Sequence, residues 1–109
     1  MDLGLQLDNQ SMILLVALSA ERNSEGTAPN GEESEVKILV RVHPVPEEPH
    51  LPPNLQLNLL TEGGEILQGV RSRDRDNYIQ LREFQGTPGE CFAIQLTLGT
   101  NNLTETFVI

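Results

Sequence analysis

The sequence predicts an all-β antiparallel sandwich of seven to eight strands, and three observations predict it. Apolar and polar residues alternate with period two. In Val36–His43, Val36, Ile38, Val40 and Val42 fall on one face and Lys37, Arg41 and His43 on the other, as a half-buried strand requires. The same period runs through Leu55–Leu59 and Phe92–Leu98. Turn formers punctuate these runs at Gly63-Gly64, Pro88-Gly89 and Asn101-Asn102. Finally, no heptad, helical amphipathic stretch or internal repeat breaks the rhythm.

Each element follows from its residues. Leu3, Leu5 and Leu7 alternate with Gly4 and Gln6, giving a short first strand, and Asp8-Asn9-Gln10 turns the chain. Met12–Leu18 is apolar on both parities, which predicts a central strand covered on both sides. Ala20–Ser34 holds four Glu among Asn, Ser, Gly, Thr and Pro and reads as a flexible acidic loop. Val36–His43 stops at a cluster containing five of the seven prolines. A segment so short of amide donors must be a crossover or an edge. Leu55–Leu60 and Glu65–Val70 flank Glu62-Gly63-Gly64 as a hairpin. Asn77–Arg82 is a sixth strand with Ile79 and Leu81 inward, and Gln85–Gly89 turns into Cys91–Leu98. In Leu103–Ile109, Glu105 breaks the apolar parity of Leu103, Phe107 and Ile109, which predicts a bulge or a partly exposed edge. Strands at this spacing imply an immunoglobulin-like sandwich. From Leu55 onward the pattern resembles a prealbumin-like or Cna-B-like domain.

At 109 residues the chain is one domain, 1–109, with one core. That core is aliphatic, since the chain has no Trp, one Tyr and three Phe. The net charge of −9 is uneven: residues 1–35 carry −6 and residues 36–109 carry −3. Such a balance argues against nucleic-acid binding, which rests on neutralising phosphates with Lys and Arg. Cys91 is the sole cysteine, so an internal disulfide and a cysteine zinc cluster are both excluded. Beside Phe92 and Glu90 it reads as a small structural residue, because a reactive thiol needs an electropositive setting. Met12–Leu18 falls far short of the ~20 residues of a membrane span and lacks the basic flank of a signal peptide. The expectation is a soluble, cytoplasmic chain with no membrane contact.

Several phrases occur in a specific order: Met12–Ser19, Val40-Arg-Val-His-Pro44, Leu51-Pro-Pro-Asn-Leu55, Asp76-Asn-Tyr-Ile-Gln-Leu81, Gly86-Thr-Pro-Gly-Glu90 and Thr104-Glu-Thr-Phe-Val-Ile109. Together they resemble the C-terminal domain of a cyanobacterial family, the domain of unknown function numbered eighteen-twenty-two. The resemblance covers essentially the whole chain. It implies an all-β module, and that most related chains carry a further N-terminal region, so that this chain is either an excised domain or a short paralogue. It supplies no activity and no catalytic residues.

The chemistry-bearing residues are few. His43–His50 holds two imidazoles and two carboxylates, the ligand types of a divalent metal. The prolines make its spacing irregular, and a solvated, proline-stiffened loop is the plainer reading. Pro46-Glu-Glu-Pro49 matches PxxP with acids in the middle, a weak signal. Asp74-Arg-Asp-Asn77 has carboxylates but neither the glycine nor the terminal glutamate of an EF-hand loop. Glu47-Glu48 project to different sides if extended and make no acid–base pair. No GxSxG, phosphate-binding glycine loop or Cys–His pairing occurs. Arg71, Arg73, Arg75 and Arg82 are four of the seven bases. On a strand, 71, 73 and 75 would share a face as a guanidinium row for a carboxylate-rich partner, partly cancelled by Asp74 and Asp76. The expectation is a non-catalytic protein-interaction or accessory domain with no cofactor and a protein partner contacted through these arginines or a sheet edge. The alternative is a small-ligand or divalent-metal module.

Overall fold

The computed structural model describes residues 1–20 and 35–109. The expected acidic loop therefore lies, from residue 21 onward, outside the described residues. Alternation produces two antiparallel sheets. Sheet A has the order β1 (Asp2–Leu7), β2 (Gln10–Ala20), β3 (Val36–Pro44) and β6 (Ile79–Gln80), with β7 (Phe84–Gly86) also paired to β3. Sheet B has the order β5 (Ile66–Arg71), β4 (Gln56–Leu60), β8 (Cys91–Leu98) and β9 (Asn101–Val108). The inward parity of each sheet meets the other in one aliphatic core. Sheet A contributes Met12, Leu14, Val16, Ile38, Val40 and Val42; sheet B contributes Leu57, Leu59, Ile94 and Leu96. Removing this apolar area from water is the dominant force holding the sandwich.

The connections follow local chemistry. Asp8 and Asn9 both take positive φ, 52° and 61°, the two-residue turn that matches hairpin twist. Between β8 and β9 the turn is Gly99-Thr100, with Gly99 at φ 63°; Asn101 and Asn102 belong to the strand rather than to the punctuation. The proline segment is the crossover from sheet A to sheet B. Its backbone is tied down by the amide of Leu51, which donates to Asp76 O (2.9 Å), and that of Asn54, which donates to Ser72 O (3.0 Å). Leu51 and Leu55 beside these bonds are buried.

Four expectations are revised or resolved. First, the described residues form nine strands, not seven or eight, because the predicted strand Asn77–Arg82 is only Ile79–Gln80 and β7 adds a further piece. Both pair with β3, at Arg41–Val42 and at Val36–Ile38 respectively. The break between them has a cause: Gln68 of β5 donates to Arg82 O (3.0 Å) and accepts from its amide (2.9 Å), drawing the chain toward sheet B. Second, β2 lies inside its sheet, but among the described residues only one of its faces is packed over. Met12, Leu14 and Val16 are buried, while Ile13, Leu15 and Ala17 are half-buried and Leu18 is exposed. Third, of the two outcomes predicted at Glu105, a bulge or a partly exposed edge, β9 is the edge, with no bulge. Its register on β8 runs unbroken from Asn101 to Val108, and Glu105 stays half-buried at the inward position. An inward charge on an edge strand discourages further strand addition. Fourth, a bulge occurs in β5 instead. Leu59 pairs with Gln68 and Leu60 with Ile66, so Leu67 is the extra residue.

Candidate functional site

Two of the four arginines, Arg73 and Arg75, lie beyond the strand on which they would form a row with Arg71. β5 ends at Arg71, so Arg71, Arg73 and Arg75 do not form a strand row. Asp76 closes a tight turn instead: its Oδ2 accepts the Arg73 amide (2.7 Å) and lies 3.7 Å from Arg73 Nε. Arg75 reverses the chain at φ 69°. Of the two carboxylates in Asp74–Asn77, that of Asp76 is thus engaged within its own turn and Asp74 is exposed. Arg71 lies on the outer face of sheet B, where its Nε donates to Gln56 Oε1 (3.1 Å). From there an amide ladder continues through Gln56 Nε2 to Asn58 Oδ1 (2.9 Å) and Asn58 Nδ2 to Gln95 Oε1 (3.2 Å). A side chain on Gly69 would collide with this ladder, its Cβ falling 2.6 Å from Asn58 Oδ1.

Arg82 enters the same neighbourhood through its backbone, held beside β5 by Gln68. All four arginine side chains are exposed. Because the bulge turns β5, Ile66 and Leu67 are also exposed, at 63% and 60%. The β5 corner thus carries two bare aliphatic side chains along a strand flanked by Arg71 and Arg82, with Arg73 and Arg75 on the loop that continues it. Sequence reasoning found the arginines and missed the aliphatics. Adjacent residues of a strand normally face opposite ways, and only the bulge exposes both.

Where the two sheets splay apart, at the end formed by the β4–β5 turn, β7 and the start of β8, a groove of about 500 Å³ opens. Leu59, Leu67, Phe84, Phe92 and Ile109 form its apolar lining, and Glu62, Glu90 and Cys91 its polar part. The three phenylalanines adjoin one another here: Phe84 meets Phe92 edge-on and Phe107 stacks on Phe92, both at 5.3 Å between centroids. Glu90 caps the turn at the groove's rim. Its Oε1 accepts from the Thr87 amide (2.6 Å) and hydroxyl (2.8 Å). These bonds, the amide foremost, hold its pKa below the ordinary carboxylate value. A depressed folded-state pKa stabilises above the unfolded value and loses that contribution as pH falls through the lowered one. Titration by NMR is therefore expected to move the Thr87 amide with a midpoint below that of a free glutamate, and Glu90→Gln to abolish the titration. A midpoint at the free value would show that the cap is absent.

The remaining candidates lie apart. His43 is half-buried on the outer face of sheet A, and His50 is exposed in the crossover. Among the described residues no group of three or more His, Cys, Asp or Glu side chains is gathered as a metal would need. No helix of the described residues is long and apolar enough to cross a membrane. Ser72, which no motif singled out, is buried and bridges two backbones: its Oγ accepts from the Leu55 amide (2.9 Å) and donates to Pro52 O (2.7 Å).

No curated protein and no solved structure matches the chain. The family model described as "Protein of unknown function (DUF1822)" matches residues 1–108. The match leaves out only the last residue, and the chain belongs to the DUF1822 family.

Proposed function

We propose that the chain is a non-catalytic interaction domain whose β5 corner docks a partner protein segment carrying both carboxylates and apolar side chains. The observation that supports this reading most is the pairing of Ile66 and Leu67, both more than half exposed, with four exposed guanidiniums in a chain of net charge −9. Two adjacent exposed aliphatic side chains form an apolar spot that a partner can cover. Guanidiniums beside them offer forked donors to carboxylates and set orientation. Substituting Arg71, Arg73, Arg75 and Arg82 together with Ser is expected to weaken binding of an acidic, leucine-bearing peptide by about tenfold or more, given one or two charge pairs lost. The thermal midpoint should hardly move, because these side chains are exposed. Fluorescence anisotropy against acidic and basic peptides of equal length measures this. Unchanged affinity in the quadruple variant would place the contact elsewhere.

A second reading, a small-ligand module, draws its support from the groove, whose volume lies within the range of about 300–1,000 Å³ typical of ligand pockets. A ligand held there raises the thermal midpoint by mass action, and does so equally in the quadruple arginine variant, which separates the two readings.

A further inference from the structure

The two outer faces of the sandwich have opposite chemistry. Sheet B turns Gln56, Asn58, Gln95, Thr97, Thr104 and Thr106 outward, joined in part by the amide ladder. Sheet A turns Ile13, Leu15 and Ala17 of β2 and Leu39 of β3 outward. These four apolar side chains adjoin across the sheet, and among the described residues no element lies over them. A contiguous aliphatic face on a β-rich strand is an association surface.

We propose that this face binds a second copy of the chain, sheet A against sheet A about a two-fold axis lying along β2. The argument is the order of charges across the strands. Asp2 of β1 stands opposite Leu15, and Leu15 stands opposite Arg41 of β3. A carboxylate and a guanidinium therefore flank Leu15, each one strand spacing (about 4.8 Å) away. Rotation by a half-turn about β2 exchanges the β1 side with the β3 side. Leu15 then meets Leu15, and each Asp2 comes to lie over Arg41 of the other copy, giving two ion pairs from one row. The next row obeys the same rule. Gly4, Ile13 and His43 are in register, so the half-turn sets the bare backbone of Gly4 opposite the imidazole of the other copy. The space above Gly4 is open, with no atom within 4 Å of where a Cβ would stand.

Arg41 is already held for this role. Gln80 Oε1 accepts from its Nε (3.0 Å) and Nη2 (2.8 Å), and the Tyr78 ring lies 4.7 Å from its Cζ. Two of its five donors are used, leaving three for a carboxylate. Aligned sheets keep their strands within about 30° of each other, and an axis along β2 sets the two copies of that strand parallel. The half-turn overlays β1, β2 and β3, of six, eleven and nine residues, a footprint of roughly 14 by 29 Å, or about 410 Å² per copy. The total of about 800 Å² is that of a weak, transient dimer.

Sedimentation equilibrium of the full chain over about 1–500 µM, the range in which an interface of this size operates, tests the proposal. The wild type is expected to pass from monomer to dimer. Asp2→Arg and Arg41→Asp should each raise the dissociation constant by about tenfold or more, the cost of setting like charges opposite, and Leu15→Lys should leave only monomer. The double swap D2R/R41D rebuilds the pairs with reversed sign and should return the constant to near the wild-type value. Thermal melts at low concentration establish that each variant folds. A wild type monomeric throughout overturns the proposal, as does a double swap no tighter than the single variants. Loss of the dimer in Thr104→Lys with retention in Leu15→Lys would assign the interface to sheet B and overturn it equally.

Discussion

Ser72→Ala is expected to destabilise the fold by about 2–4 kcal/mol, although it removes a single oxygen atom. That oxygen serves two backbones at once, accepting from the Leu55 amide and donating to Pro52 O. Alanine leaves the amide of Leu55 beside a fully buried side chain with no partner, and a buried donor left unsatisfied costs about 1–3 kcal/mol. Losing the bond to Pro52 adds about 0.5–1.5 kcal/mol. The effect should be local as well as global. Ser72 main-chain bonds to Leu55 and Asn54 remain in place, so the crossover stays attached but loosened. Hydrogen exchange at the Leu55 amide should accelerate beyond what the fall in global stability explains. An unchanged denaturation midpoint would mean that water replaces the hydroxyl at no cost.

Leu57→Ala carries the other large effect, about 2–5 kcal/mol, the range for truncating a fully buried leucine. Leu57 is on β4, which hydrogen-bonds on both sides, with Val70 opposite on β5 and Leu96 opposite on β8. Its side chain is inaccessible to solvent. Neighbours on two fixed strands can relax little into the space, so both the transfer and the cavity contribution apply. At about 4–8 °C per kcal/mol for a domain of this size, the melting point should fall by roughly 10–30 °C. Leu67→Ala is the control, since its side chain is mostly in water already and should cost within about 0.5 kcal/mol. Similar losses at both positions would contradict the assignment of inside and outside.

The contrast between these leucines marks how far the sequence could be read. Leu57 is legible as core from the alternation around it. Leu67 is not, because its exposure depends on one extra residue in β5 relative to β4, a mismatch between strands that neither strand contains alone. The arginines are legible as a cluster by proximity in the chain, yet their geometry is not: Asp76 folds Arg73 and Arg75 into a turn rather than a row. Gln68 gives no sign in the sequence that it will hold Arg82, fourteen residues away, and break the sixth strand into two. The edge at Asn101–Val108 is legible through Glu105, but the strand tolerates that charge without a bulge, since at an edge the half-buried carboxylate still reaches water.

What the sequence determined by itself is the partition of side chains between oil and water: all-β architecture, one aliphatic core, turns at Asp8-Asn9 and Glu62–Gly64, and a proline-rich crossover. Each is a local preference, repeated every second residue, and needs no knowledge of partners. Tertiary structure alone decided which strands meet, that Ser72 bridges Leu55 and Pro52, that the described residues pack over one face of β2, and that Asp2, Leu15 and Arg41 form one row. These depend on register between segments far apart in the chain. Register is set by the joint fit of whole strands, so no single segment encodes it.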